Sequence, residues 1–285
     1  MKPTSFLETE QSHLALAQYY RWFQIYERPY TENRIKNATA LLADDALIKS
    51  VIGDLNGPAE FQERLMEYKD WQNAHHVQYA TITPLSDDKL SLLGHALFQN
   101  IRPDGTRHSF TIQYDAQLTQ VSGDLPVFTF FKLTPTSTVE PAEFADAYPQ
   151  NRVTSFMHYW LYCMETHKGD ATKMRELFTP DFELNMATGG HINNWEQFEA
   201  WIKSTYSRIR YTSHRTRNLT VQPNPDGTLS ASFMMDWQGI SADGEPMIAE
   251  MQHEWLLEDN LDNRFAALKK VQVVATKPFQ VSYSF

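Results

Sequence analysis

The feature that most constrains this chain is an internal repeat. A shift of 139 residues aligns positions 75–118 with positions 214–257 without a gap, and twelve of the forty-four aligned pairs are identical. Composition alone would produce only about 2–3 identities over that length. Domains cluster near about 100–150 residues, so the chain has room for two copies. We therefore expect one domain built twice, at residues 1–140 and 146–285.

The repeat continues upstream at slightly different shifts. Residues 20–22 align with residues 158–160, and residues 41–45 align with residues 177–181. Between the copies, residues 134–143 are rich in Pro, Ser and Thr, which is typical of a linker. The alternative of two unrelated domains with similar composition stays open at this point.

Both copies show the same order of predicted elements. A long amphipathic helix comes first, then a short helix that Pro180 terminates, then a third helix with Asn194 or Asn193 as its N-cap. Alternating apolar and polar residues then predict strands joined by Asp-Gly turns. The long helices are predicted at 11–28 and 150–166, and the clearest strands at 90–101, 108–118, 229–240 and 247–257. This order predicts an α+β fold of two tandem cone-shaped domains, each with three helices packed in a curved antiparallel sheet.

Charge and composition exclude several partners. The net charge of −10 and the lack of a basic run argue against nucleic acid, because binding to a phosphate backbone requires clustered Lys and Arg. The single cysteine, Cys163, cannot form an internal disulfide, which is typical of a reducing compartment. The N-terminal residues lack an apolar core of signal-peptide length, and no apolar run is long enough to cross a membrane. We therefore expect a cytoplasmic protein without a membrane partner.

Two segments carry a family resemblance. They are MHYWLYCMETHKGDATKMRELFTPDFEL at residues 157–184 and TSHRTRNLTV at residues 212–221. Together with the order of elements, they resemble the nuclear-transport-factor-2-like superfamily, in particular its SnoaL-like and scytalone-dehydratase-like branch. The resemblance implies a cone-shaped fold around an apolar cavity in both copies. Because this superfamily includes isomerases, hydrolases, cyclases, dehydratases and non-catalytic binders, function has to be argued from the site.

Strand alternation assigns the side chains that face each interior, since successive residues of a strand point to opposite faces. The inward positions include Met235, Trp237, Met251 and His253 in the second copy and Phe98 and Tyr114 in the first. By the same count, Asp236 and His95 face outward. The first helix of each copy adds aromatic side chains that either form core or line the cavity wall, namely Tyr19, Trp22, Tyr159 and Trp160.

Two histidines are the candidate catalytic residues of the second copy. His214 is equivalent to His75, and the resemblance implies that a histidine at this place reaches the ligand and transfers protons. An imidazole has an unperturbed pKa of about 6.5 and can therefore act as a base near neutral pH. The alternative is a structural histidine bound to the backbone. Asn218, predicted on the same face, would bind a ligand carbonyl or satisfy a turn.

One departure from the family pattern weakens the catalytic hypothesis. The resemblance to dehydratases implies a Tyr-Asp pair at the end of the first helix, where this chain has Thr166 and His167, and a second histidine where Trp237 lies. We therefore expect no general-base carboxylate. It leaves a mechanism with histidines alone, in which His214 is the base and His253 is the acid or hydrogen-bond donor.

The sequence supports two classes of function. The first is binding of a small apolar molecule between Trp160, His214, Trp237 and His253, with cofactor-independent dehydration, isomerisation or cyclisation if the site is catalytic. No phosphate-binding loop and no metal-ligand spacing occurs, so we expect no cofactor and no metal. The second class is a non-catalytic ligand-binding or protein-interaction module. In either class, the outer sheet faces would pair the two copies as an intrachain pseudo-dimer or form a homo-oligomer.

Overall fold

The computed structural model of this protein describes residues 2–86, 88–121, 125–140, 143–166, 170–188 and 190–283. The chain forms two compact units. One unit consists of Leu14–Ser155 with Leu261–Arg264. The other consists of Met1–His13, Phe156–Asn260 and Phe265–Phe285. The first thirteen residues therefore belong to the same unit as most of the second half of the chain.

The first half contains three helices and six strands. They are α1 (Thr4–Gln24), α2 (Glu32–Thr39), β1 (Leu42–Lys49), β2 (Leu55–Asn56), α3 (Gly57–Met66), β3 (Gln72–Pro84), β4 (Lys89–Ile101), β5 (Arg107–Thr119) and β6 (Val127–Thr138). The six strands form one sheet in the order β2-β1-β6-β5-β4-β3.

The second half repeats this plan. Its elements are α4 (Tyr148–Thr166), a 3₁₀ helix (Thr172–Leu177), β7 (Phe178–Met186), β8 (Gly190–Ile192), α5 (Trp195–Arg208), β9 (Ile209–Pro223), β10 (Thr228–Ser241), β11 (Pro246–Glu258) and β12 (Ala267–Val281). The strand order, β8-β7-β12-β11-β10-β9, matches that of the first sheet position by position. The predicted repeat and the predicted α+β class are confirmed.

Several local predictions are confirmed, and others shift. Asn194 caps α5, because its side chain accepts a hydrogen bond from the backbone N–H of Gln197. The first helix ends at Gln24 instead of 28, ahead of Pro29, which disfavours helical conformation in the residue before it. Half of the predicted linker, residues 134–138, continues strand β6. Its residues 141 and 142 lie outside the described part of the chain.

The sheets also differ from the prediction in one respect, because they are not wholly antiparallel. Strand β1 pairs with β6 in parallel, and β7 pairs with β12 in parallel. The other pairs in each sheet are antiparallel. Parallel pairing requires a long connection between the two strands, and here that connection is the rest of the half itself.

The predicted faces of the central strands are confirmed. Alternate residues of β10 and β11 are buried, and these are Leu229, Ala231, Phe233, Met235, Trp237, Ala249, Met251, His253 and Trp255. Asp236 lies on the other face, where it forms an ion pair with Arg217. None of the helices in the described ranges combines the length and the hydropathy that a membrane crossing requires.

Candidate functional site

The second half of the chain encloses a cavity of about 350 Å³. Apolar side chains from α4, β10, β11 and β12 form most of its wall. They include Trp160, Leu161, Met164, Met235, Trp237, Met251, Val273 and Phe279. Volumes of this size accommodate small organic ligands, which bind mainly to apolar walls and are oriented by a few polar groups.

Two buried histidines provide the main polar groups of this wall. His214 lies on β9 and His253 lies on β11, and both line the cavity. Both side chains are buried, with exposed fractions of 4%. Both candidate catalytic residues of the second copy therefore face one apolar space.

A buried carboxylate holds His214 in place. Glu165, at the end of α4, accepts hydrogen bonds at Oε1 from the backbone N–H of His214 at 2.7 Å and from its ring nitrogen Nδ1 at 3.1 Å. The Glu165 side chain is fully buried. Burial alone would favour the neutral acid, but hydrogen bonds from His13 and His214 outweigh it and hold the pKa of Glu165 below its usual range. The carboxylate is therefore ionised at neutral pH.

This contact determines the tautomer of His214. An ionised carboxylate only accepts hydrogen bonds, so Nδ1 of His214 carries the proton. In the neutral form of the ring, the second nitrogen, Nε2, then carries a lone pair. A histidine oriented in this way by a carboxylate is the arrangement that serves as a general base in many enzymes. This arrangement can therefore accept a proton at the wall of an apolar cavity.

His253 has a different electrostatic character. Neither of its ring nitrogens has a hydrogen-bond partner among the described residues. Its ring stacks on Phe233, with centroids 4.9 Å apart and an interplanar angle of 16°. Burial, together with the neighbouring His214, lowers the pKa of His253 to about 3. The ring is therefore neutral at neutral pH, and it can donate a hydrogen bond but cannot act as an imidazolium acid.

A carboxylate that contacts His214 was not predicted, although Glu165 is not among the residues that line the cavity. The strand pattern could not identify Glu165, because this residue lies on helix α4 and contacts His214 only through the tertiary fold. The repeat does contain a signal, since a shift of 138 residues aligns Glu165 with Glu27, next to the matched pair of His214 and His75. Thr166 is the last residue of α4, and His167 lies outside the described residues.

The other predicted ligand contacts of the second copy divide into two groups. Trp160, Met235, Trp237 and Met251 line the cavity. Tyr159 instead packs on Phe265, with ring centroids 4.6 Å apart, so this prediction is corrected to a core contact. Asn218 is exposed and has φ of +57° at an irregularity in the pairing of β9 with β10. This bulge breaks the alternation on which the prediction for Asn218 relied.

The first half has the same Glu–His pair, and its pocket of about 360 Å³ is lined by Glu27 but not by His75. Glu27 Oε1 accepts hydrogen bonds from the backbone N–H of His75 at 2.8 Å and from its Nδ1 at 3.1 Å. The ring of His75 stacks on Phe23 and lies 4.8 Å from the ring of Phe98. The ring of His75 is thus surrounded by packed aromatic side chains.

The remaining predicted ligand contacts of the first copy belong to this packing. Trp22 stacks on Phe131 at 4.1 Å, and Tyr19 and Tyr114 contact each other edge to face. A Cβ atom at Gly94 would lie 2.2 Å from the hydroxyl oxygen of Tyr19, so only glycine leaves room for that ring. For Tyr19, Trp22, Phe98 and Tyr114, the structure therefore supports the core alternative.

One family model matches much of the half that contains the cavity. Residues 150–260 match the family model described as a SnoaL-like domain. The match confirms the resemblance that the sequence shows in this region. No curated protein matches the chain.

Several solved structures are similar to about half of the chain. A hexachlorocyclohexane dehydrochlorinase (LinA, type 2) is 9% identical, with 48% of this chain and 90% of that chain covered and a TM-score of 0.42. A putative scytalone dehydratase from Novosphingobium aromaticivorans is 16% identical, with 51% and 96% covered and a TM-score of 0.40. Aln2 from a Streptomyces species is 19% identical, with 44% and 88% covered and a TM-score of 0.38.

Proposed function

We propose that the second half of this protein, in which residues 150–260 form a SnoaL-like domain, is a cofactor-independent lyase or isomerase whose base is His214. One observation carries the proposal. A fully buried, ionised Glu165 binds Nδ1 of a histidine whose ring lines an apolar cavity. In the neutral form of His214, Nε2 carries no proton and accepts one from a carbon atom of the bound substrate.

The proposed role of His253 follows from its neutrality. Removal of a proton next to a carbonyl places negative charge on the carbonyl oxygen, and a hydrogen-bond donor in an apolar site stabilises that charge. A neutral imidazole donates such a hydrogen bond through its ring N–H and does not have to be protonated first. We assign His253 this role because its ring nitrogens lack partners among the described residues.

The cavity also limits the class of substrate. Its wall is mainly Trp, Met, Val and Phe, so the substrate is largely apolar. One carbonyl or hydroxyl oxygen is sufficient to engage His253. Dehydration, isomerisation and cyclisation of a small ketone all begin with the removal of a proton from carbon. This is the step that we propose for His214.

A second candidate function is ligand binding without catalysis. The first half favours it, because Glu27 and His75 form the same pair among packed aromatic rings. In that half the pair anchors the start of β3 to the turn that follows α1. In the second half, the same pair would then be structural, and the cavity would only hold its ligand.

A probe reaction separates the two functions without knowledge of the substrate. A nitro-substituted benzisoxazole is a small, flat, apolar molecule. When a base removes the proton from its ring carbon, the N–O bond breaks and a coloured cyanophenolate forms. Turnover of this probe therefore reports a general base in an apolar site.

We expect saturable turnover by the full-length protein. His214→Ala should lower kcat by about 100-fold, which is typical of the loss of a general base. Glu165→Gln should lower kcat by about tenfold, because the charge that fixes the tautomer is gone. His95→Ala is the matched control, since His95 stacks on Tyr79 outside the cavity and its loss should leave turnover unchanged. Equal turnover by the wild-type protein and His214→Ala would contradict the catalytic proposal and leave the binding function.

A further inference from the structure

A histidine from the N-terminal helix reaches the Glu165–His214 pair. Nε2 of His13 lies 3.0 Å from the backbone carbonyl oxygen of His214 and 3.6 Å from Oε1 of Glu165. His13 is buried, with 5% of its surface exposed. It belongs to α1, far from both partners in sequence but in the same compact unit.

The protons of this contact can be assigned from its acceptors. A carbonyl oxygen only accepts hydrogen bonds, so Nε2 of His13 carries a proton and donates it. On the other side of the ring, Nδ1 of His13 lies 2.9 Å from Nδ1 of His158. Burial and the neighbouring His13 hold the pKa of His158 well below its usual range, so His158 is neutral. This contact with His158 fixes the ring of His13 with its Nε2–H toward the pair.

The first half of the chain contains an equivalent contact. The shift of 138 residues that aligns Glu27 with Glu165 also aligns Asn151 with His13. The side-chain amide of Asn151 donates to Oε1 and Oε2 of Glu27 at 3.0 and 3.1 Å, and to the carbonyl oxygen of His75 at 2.9 Å. His13 and Asn151 thus contact the same two groups, a buried carboxylate and the carbonyl of the histidine that it orients.

We propose that His13 is a positioning residue for His214, so that the N-terminal helix is an integral part of the site in the second half. This inference rests on the proposed function for the role of His214 as a base. His13 acts through Glu165 and the backbone of His214, and it does not touch the substrate. Oε2 of Glu165 has no hydrogen-bond partner among the described residues, so the donors at Oε1 determine whether the carboxylate stays ionised and in place.

Loss of His13 should therefore weaken the base in a specific way. With one donor fewer, a buried Glu165 binds a proton more readily, and its pKa rises. A neutral Glu165 no longer requires the proton of His214 to be on Nδ1. Turnover should then fall, because the proposed base depends on the ionised carboxylate.

The test compares two substitutions in the full-length protein. His13→Ala removes the donor, whereas His13→Asn introduces the side chain that the first half uses. With the nitrobenzisoxazole probe, we expect His13→Ala to lower kcat by about tenfold with KM unchanged. His13→Asn should restore kcat to within about threefold of wild type. Wild-type turnover by His13→Ala, or equal impairment in both variants, would overturn the inference.

A second measurement does not depend on turnover. Nitrogen-15 NMR of the histidine side chains distinguishes Nδ1–H from Nε2–H tautomers, and His214→Ala identifies the signals of His214. We expect a pure Nδ1–H tautomer for His214 in the wild-type protein and in His13→Asn, and a mixture of tautomers in His13→Ala. An unchanged His214 signal in His13→Ala would contradict positioning by His13.

The two measurements separate the failure of this inference from the failure of the proposed function. If no variant differs in probe turnover but His13→Ala changes the His214 signals, His214 is not a base and His13 still positions its ring. If His214→Ala abolishes turnover while His13→Ala changes neither turnover nor the signals, the base is real and His13 has no part in it. His191→Ala, at an exposed histidine on β8, is the control for both measurements.

Discussion

Replacement of His253 by phenylalanine should stabilise this protein, and the gain should be larger in acid. Neither ring nitrogen of His253 has a hydrogen-bond partner among the described residues, although the ring is buried. A buried polar group without a partner costs about 1–3 kcal/mol. Phenylalanine keeps the stacking on Phe233 and removes the polar atoms. We therefore expect His253→Phe to raise the free energy of unfolding by about 1–2 kcal/mol at neutral pH.

The pH dependence follows from the lowered pKa of His253, which is about 3 in the folded protein. In the unfolded chain the pKa is about 6.5, so the unfolded state binds the proton first as the pH falls. The stability contributed by the neutral ring is complete above about pH 6.5 and is lost progressively between about pH 6.5 and about pH 3. Between about pH 7.5 and about pH 5.5, wild type should lose about 1.4 kcal/mol relative to the variant.

Urea unfolding at these two pH values, followed by tryptophan fluorescence, measures the difference directly. Groups other than His253 titrate equally in both proteins, so their contribution cancels when the variant is compared with wild type. His95→Phe is the control for the introduction of a phenylalanine in place of a histidine on the outer face, beside Tyr79. A stability difference between His253→Phe and wild type that is the same at both pH values would refute the reasoning. That result would mean that His253 takes up its proton as freely in the folded protein as in the unfolded chain.

Two further substitutions test the cavity and the framework that supports it. Gly239→Ala would place a Cβ atom 2.2 Å from Cη2 of Trp237, so the indole must move into the cavity, and KM for the probe should rise by about fivefold with kcat little changed. An unchanged KM would show that the Trp237 ring does not define the binding space. Asn194→Ala removes the side-chain cap of α5, and urea unfolding should show a loss of about 1 kcal/mol. A loss of the same size in Asn193→Ala would argue against Asn194 as the cap.

Much of the fold could be predicted because its signals are local. The repeat appears as identities at a constant shift, and the identical strand orders of the two sheets confirm it. Burial of alternate residues in β10 and β11 follows from the period of a strand and requires no knowledge of its neighbours. The placement of Trp237 and His253 inside, and of Asp236 outside, could therefore be derived from the sequence.

The prediction failed where the answer depends on a partner that is distant in sequence. Asn218 was predicted to face inward, but the bulge in β9 depends on its pairing with β10, and it leaves Asn218 exposed. Glu165 was missed because its partner, His214, lies 49 positions further along the chain. Equivalent positions in the two halves also have different surroundings. The aromatic side chains of the first half pack around His75, whereas those of the second half leave a cavity beside His214.

By itself, the sequence determined that one α+β unit occurs twice and which strand positions point inward, because both follow from periodicities that are visible along the chain. The tertiary structure alone decided that Glu165 and His13 meet His214, and that the interior of the second half has room for a ligand. Those outcomes depend on how side chains from separate elements fill a shared volume. The pattern of apolar and polar residues along the chain does not specify how the volumes of those side chains add up in three dimensions.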